Sequence, residues 1–399
     1  MRAYLDHAAT TPLSQPARDA LLAAYDVIGN ASAIHSDGRG ARKLVEESRE
    51  RVAGALGVGP TEVMFTSGGT ESDNLAVKGL WWSRIAQDPT RRRVLCSRVE
   101  HHAVLDSVQW LGTHEGAQVV WLDVDSDGLV DPDQVARELA AGPTALVSVM
   151  WANNEVGVVQ PIEAISFLCA DHGVPFHVDA VQAVGSVEVD AFLSTTMASS
   201  AHKLGGPVGV GALVAGRDVA LTPLAHGGGQ ERKIRSGTFN VAGIAAFAAA
   251  LEYALETLPE RSQRIGALRD GLIGDVRALF PDVQVNGALG GPEVRLPGNA
   301  HLSFPGADGE ALLMLLDASG VSVSTGSACT AGVTEPSYVL TALGLDPELA
   351  RGSLRLSLGS SSTRADIDQL LAALPEAVAR ARRVAQGDST AALAGAAKA

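Results

Sequence analysis

An α/β fold built on a mostly parallel sheet is what this 399-residue chain predicts, on three observations. Apolar strands alternate with helical stretches from Asn30 to about Gly216. Some strands are apolar throughout, as in Ala145-Leu146-Val147-Ser148-Val149-Met150, the pattern of a sheet covered on both faces. The informative polar residues follow strands, where ligands of such sheets bind: Thr66 to Glu71, Glu100 to His102, Asn153 to Glu155, Asp179 to Gln182 and Ser199 to Lys203.

Helical spacing covers Ala41 to Leu56 and stops at Gly57. Glu62-Val63-Met64-Phe65 is a strand, and a helix runs from about Ser72 into Trp81-Trp82. Arg93 to Cys96 and Val119 to Leu122 are strands around a helix from His101 to His114. Helices over Asp133 to Ala140 and Ile162 to Asp171 flank the Ala145 strand, and Pro175 to Asp179 is the next strand. Two more are expected, at Thr195 to Ala198 and at Val208 to Val214. Beyond Gly216 the pattern becomes α+β. Long helices are expected at Val241 to Leu258 and Ser262 to Phe280, a shorter one at Gly309 to Ala318, and a last one at Ala365 to Val384. The strands between them are Val283 to Val285, His301 to Phe304, Val321 to Val323 and Leu354 to Leu358.

A net charge of −14 argues against nucleic acid or an anionic membrane as a partner. The start of the chain lacks the apolar core of a signal peptide, and no apolar run approaches a membrane span. The 3 cysteines, Cys96, Cys169 and Cys329, form no disulfide framework. A protein of the reducing cytoplasm is the expectation.

Several stretches carry chemistry. Of Lys43, Lys78, Lys203, Lys233 and Lys398, only Lys203 sits among small uncharged residues at a chain reversal. It reads either as a strand cap or as a low-pKa amine that condenses with an aldehyde. Thr66-Ser67-Gly68-Gly69-Thr70-Glu71 reads as a phosphate site at a helix start or as an ordinary N-cap at Thr70. Asp179, at the end of a buried strand, needs a positive partner such as a protonated pyridine nitrogen, or else makes an Asx turn. Gln182 is placed to donate to such a ring's phenolic oxygen, and a histidine of the His101-His102 pair to stack on it. Cys96 and Cys169 read as core thiols, whereas Cys329, in Ser324-Thr325-Gly326-Ser327-Ala328-Cys329-Thr330, is a candidate nucleophile.

In combination these stretches resemble the cysteine desulfurases, pyridoxal-phosphate enzymes of the class V aminotransferase superfamily. The resemblance runs from Tyr4-Leu5-Asp6-His7-Ala8-Ala9-Thr10-Thr11-Pro12 to Arg355-Leu356-Ser357-Leu358-Gly359. It passes through Ser67 to Asn74, Glu100-His101, Asn153-Asn154-Glu155, His177 to Ala180, His202-Lys203, Gly227 to Arg232, Arg235 to Thr238 and Gly326 to Thr330. It implies a fold type I transferase with a seven-stranded, mostly parallel sheet. The large domain would be 15–258, and the smaller α+β domain 1–14 with 259–399.

By position, the resemblance makes Lys203 the covalent holder of pyridoxal phosphate and a proton carrier. Asp179 would pair with the pyridine nitrogen, Gln182 with the phenolic oxygen, and His101 would stack on the ring. Gly69, Thr70, Ser200 and His202 would hold the phosphate, with Thr238 reaching it from the other subunit of a homodimer. Asn154 would serve cofactor and substrate alike, and Arg355 would clamp the substrate carboxylate. Asn30 lies in the substrate-side loop, followed here by Ala31 where relatives usually carry proline. Cys329 would take sulfur from L-cysteine as a persulfide and pass it to an iron–sulfur scaffold or another acceptor protein. No resident metal is implied, with Cys329 a candidate transient ligand of a cluster. A selenocysteine lyase or an aminotransferase shares the cofactor residues and is the alternative.

Overall fold

The computed structural model describes residues 2–326 and 336–387. Its centre is a seven-stranded sheet in the order β2-β8-β7-β6-β5-β3-β4. After the short β1 (Ala3–Tyr4), these strands are β2 (Val63–Thr66), β3 (Arg93–Ser97), β4 (Gln118–Leu122), β5 (Thr144–Ser148), β6 (Phe176–Asp179), β7 (Thr196–Ser200) and β8 (Gly211–Ala215). Only β8 runs against its neighbours, so the others deliver their carboxyl ends to one edge.

Alternation along the strands sorts their side chains to two faces. Phe65, Leu95, Val147 and Val178 pack on one face with Val45 and Val52 of α2 (Ser36–Leu56) and Phe247. Met64, Val94, Cys96 and Leu146 pack on the other with Leu75 and Trp81. Before α2 comes α1 (Gln15–Tyr25), a helix absent from the sequence expectations. The helices α3 (Gly69–Gln87) and α4 (His102–Glu115) cover the second face, and α5 (Pro132–Ala140), α6 (Ile162–Asp171) and α7 (Val241–Glu256) the first. In α7, alanines at 245, 246, 248, 249 and 250 are all buried, which lets α1 and α2 approach closely.

Several boundaries differ from the sequence reading. The second helix starts at Ser36, five residues before Ala41, because the His35 imidazole accepts from the Gly38 N–H and caps it. The strand expected from Val208 starts at Gly211, and β7 runs on through Ser200. α7 and α8 (Leu258–Leu279) meet at Thr257 with a bend of 70°, where Pro259 sits in the first turn of α8. No single helix among the described residues is long and apolar enough to cross a membrane.

The remaining strands are β9 (Gln284–Val285), β10 (Asn299–Ser303), β11 (Val321–Ser322) and β12 (Ser353–Ser357). β12, β10 and β9 form an antiparallel sheet, and β1 pairs with β11. α9 (Gly309–Ala318), α10 (Tyr338–Ala342), α11 (Pro347–Arg351) and α12 (Arg364–Ala385) accompany them. Their apolar side chains form a second core that includes Leu272, Leu302, Phe304, Leu356 and Leu370.

An ion pair ties α2 to the loop beyond β8. The Arg49 guanidinium donates to both Glu231 oxygens at 2.8 Å and lies 4.8 Å from the centre of the Phe65 ring. Glu231, Arg232 and Lys233 all have positive φ (42°, 59° and 62°), a left-handed turn that needs such an anchor. Arg49→Ala, which strands the buried Glu231 carboxylate, is expected to cost about 3 kcal/mol of stability in a denaturant titration. A cost below about 0.5 kcal/mol would show that the pair is not an anchor.

Candidate active site

The codirectional strand ends build the site. β6 ends on Asp179, which is 4% exposed and accepts the Val181 N–H at 2.8 Å. β7 ends on Ser200, and the tight turn Ala201–Lys203 follows. Gly205 then takes φ 92°, a conformation that favours glycine, and returns the chain to β8.

The Lys203 amine donates to the backbone carbonyls of Ala8 at 2.6 Å and Ala9 at 2.9 Å. Burial draws its pKa down to about 8, helped by the Arg355 charge and opposed by Asp179 and Asp6. Gln182 donates to the same Ala8 carbonyl at 3.0 Å. A segment from the start of the chain thus covers a lysine nearly two hundred positions away.

Opposite lies the start of α3, where Gly68 is the cap residue (φ 149°), so the helix begins three residues before the expected Ser72. Thr70 therefore stands inside the first turn and is not its cap. A Cβ on Gly68 would stand 3.7 Å from the Ser200 hydroxyl, and one on Gly69 would strike Val181 at 2.6 Å. The first N–H groups of a helix have no partner within it, and those of α3 begin beside this narrow space. Glu71 accepts the Ser67 N–H at 2.6 Å and pairs with Arg235 at 2.8 Å, which ties the helix start to the loop that carries Thr238. His202 faces the Thr10 hydroxyl at 3.2 Å, and burial lowers its pKa to about 4.

His101 caps α4, its Nδ1 accepting the Ala103 N–H at 3.1 Å. Desolvation lowers its pKa against the pull of Asp179, so the ring is neutral. The Arg355 side chain donates to the Asn154 carbonyl at 3.1 Å and to Asp6 at 2.9 Å. Asn30 and Thr238 are exposed, and among the described residues neither bonds to this group; the Asn30 side chain accepts the Ser32 N–H at 2.9 Å. Cys329 lies outside the described residues, while Cys96 and Cys169 are buried, as expected.

Residues 3–370 match the aminotransferase class-V family. An IscS-like cysteine desulfurase of Mycobacterium tuberculosis is 55% identical over 386 residues, covering 96% of this chain and 98% of that one. A solved structure described as a NifS-like protein superposes with a TM-score of 0.86 at 34% identity, covering 95% of this chain and all (100%) of that one. Another, SspA in complex with cysteine, gives 0.76 at 30% identity over 91% of this chain and 100% of that one. The chain belongs to the class-V aminotransferase family. It is a pyridoxal-phosphate enzyme with the fold type I architecture that its sequence implies.

The residues of this class-V chain fit that cofactor. Gly68, Gly69 and Ser200 form a cradle at a helix start, suited to a phosphate. Asp179 is a buried acid whose one hydrogen-bond partner among the described residues is an amide, which suits it to a protonated ring nitrogen. The Asn154 side-chain oxygen is buried without a hydrogen-bond partner among the described residues. Lys203 supplies an amine of low pKa.

Sequence reasoning gave no role to the polar groups behind Asp179. His177 Nε2 lies 3.3 Å from an Asp73 oxygen, and its Nδ1 lies 3.0 Å from the Thr196 hydroxyl, all fully buried. Burial pushes the Asp73 and Glu100 carboxyls well up, reinforced by the charge of Asp179, and lowers His177 to about 4. Burial raises Asp179 too, but there the Val181 N–H and the Lys203 charge oppose it, so of the three acids Asp179 is the one whose anionic form is best supported. Their signal was a polar residue every second position on one strand face, as in His177 and Asp179.

Only the neutral amine attacks an aldehyde, and its fraction rises as pH climbs through the pKa. Uptake of pyridoxal phosphate by the apoprotein is therefore expected to accelerate with a midpoint near pH 8. A midpoint near 10.5, the ordinary lysine value, would mean that the amine is not desolvated.

Proposed function

We propose that this site removes sulfur from L-cysteine, releasing L-alanine and leaving a persulfide on Cys329. The observation that carries the reading is the convergence of the Lys203 amine and the Arg355 guanidinium on one segment, Asp6 to Ala9. The strand leading toward Cys329 joins them: Ser324 and Arg355 exchange backbone hydrogen bonds at 2.7 and 3.2 Å. The cysteine desulfurase relatives and the cysteine complex of SspA support the same substrate.

When bound, pyridoxal phosphate supplies an electron sink for negative charge at the substrate's α-carbon. Asp179 would pair with the ring nitrogen and favour its protonated form. Lys203 takes and returns the substrate's α-proton at Nζ, a task suited to an amine titrating near pH 8. Arg355 and Asn154 orient the carboxylate, and the neutral His101 ring covers the site without adding charge. Gly69, Thr70, Ser200 and His202 would hold the phosphate, and Gln182, which donates to the Ala8 carbonyl, would serve the phenolic oxygen. The Cys329 thiolate attacks the substrate sulfur: an S–S bond forms, the C–S bond breaks, and its electron pair stays on carbon, which is protonated to alanine.

The same reading makes the protein a cytoplasmic homodimer that passes its persulfide sulfur to an iron–sulfur scaffold or a similar acceptor. Leu22, Tyr25, Ile28 and Ile34 are 60%, 71%, 82% and 91% exposed, an apolar face around Asn30 that suits a second copy. A Ser32–Gln230 hydrogen bond joins that face to the loop that carries Thr238, consistent with Thr238 serving the partner's phosphate. We also propose the domain division at 15–258 and at 1–14 with 259–399; in its favour, one core draws only on Ala3, Leu5 and residues from Ile265 to Ala381, while a smaller cluster of Val99, Val156, Val158, Val339 and Leu340 spans the boundary.

Cys329→Ala is expected to keep the visible cofactor band and its change with L-cysteine, yet lose at least about 10³-fold in sulfide and alanine release. Undiminished release of both would assign the sulfur acceptor elsewhere.

A further inference from the structure

Arg355 is almost wholly buried, and its guanidinium is already partly engaged. One terminal nitrogen donates to the Asn154 carbonyl and the other to a single oxygen of Asp6, while Nε is buried without an acceptor among the described residues. Asp6 cannot drift from this place. The Ser357 N–H donates to the Leu5 carbonyl at 2.8 Å and the His7 N–H to the Ser357 carbonyl at 3.1 Å, so the backbone on both sides of Asp6 is stitched to β12, two residues from Arg355.

We propose that Asp6 is a specificity-determining counter-ion of the carboxylate clamp: a substrate carboxylate binds by sharing the Arg355 guanidinium with Asp6. This rests on the reading that Arg355 holds the substrate carboxylate. An uncompensated, buried guanidinium would attract any small anion, sulfate and phosphate included. With Asp6 in contact, the local charge falls by one, and a bare anion gains little. A zwitterionic α-amino acid brings its own positive group and loses least to the Asp6 charge. Asp6 therefore trades affinity for discrimination between amino acids and inorganic anions. Among the described residues only one Asp6 oxygen is used and the buried Nε–H has no acceptor, which leaves a donor for the carboxylate to take up.

The test uses the holoenzyme, with L-alanine binding read from the visible absorbance change and sulfate as a competing anion. Asp6→Asn, and Asp6→Ser as a second neutral variant, are expected to bind L-alanine about threefold more tightly, the size of a partly exposed charge interaction. Their sulfate inhibition constants are expected to fall by more, so that the ratio of sulfate to L-alanine affinity rises; a ratio unchanged from the parent would overturn the discrimination. Asp6→Glu, which keeps the charge, is expected to stay within about twofold of the parent for both ligands. Unchanged or weaker L-alanine binding in both neutral variants, with the cofactor band intact, would overturn the proposal. Arg355→Lys separates the two claims. Weaker L-alanine binding in that variant upholds the clamp whatever Asp6 does, and an unchanged affinity would remove the clamp and the proposal together.

Discussion

The contact on which the site depends is the one between the Lys203 amine and the carbonyls of Ala8 and Ala9. An ammonium moved away from water loses hydration that no single bond restores. Two carbonyl acceptors and the nearby charges of Asp179 and Asp6 recover part of it, and the remainder appears as a pKa of about 8. The same covering segment reaches Arg355 through Asp6 and Gln182 through Ala8. Amine, guanidinium and amide are thus held by four consecutive residues whose place is set by β1 pairing with β11 and by the Asp6–Ser357 bridge.

Charge is rationed around this contact. Asp73, Glu100, His177 and Asp179 lie in one buried volume where several ions of like sign cannot coexist. Burial raises all three acids, and Asp179 is the one whose shift a positive charge opposes, that of Lys203 together with the Val181 N–H, so it is the acid best placed to hold a negative charge. A cationic cofactor ring then meets that negative charge.

Much of this was legible in the sequence, for identifiable reasons. Strand faces declared themselves by alternation, as Met64 and Phe65 do by packing on opposite sides of the sheet. Lys203, Asp179 and Gly69 stood out because each follows a strand, and local order alone placed them at one edge. The misses were of two kinds. The start of α2 was hidden because its cap is His35, a residue without strong capping preference. The roles of Asp6, Ala8 and Ala9 were hidden because they act across 349, 195 and 194 positions, and two of them act through backbone carbonyls, which carry no side-chain signature.

The most direct measurement is borohydride reduction of the yellow holoenzyme followed by peptide mass mapping. The account predicts loss of the visible band and the reduced cofactor's mass on the peptide containing Lys203. The same mass on a peptide containing Lys43, Lys78 or Lys233, with Lys203 unmodified, would contradict it.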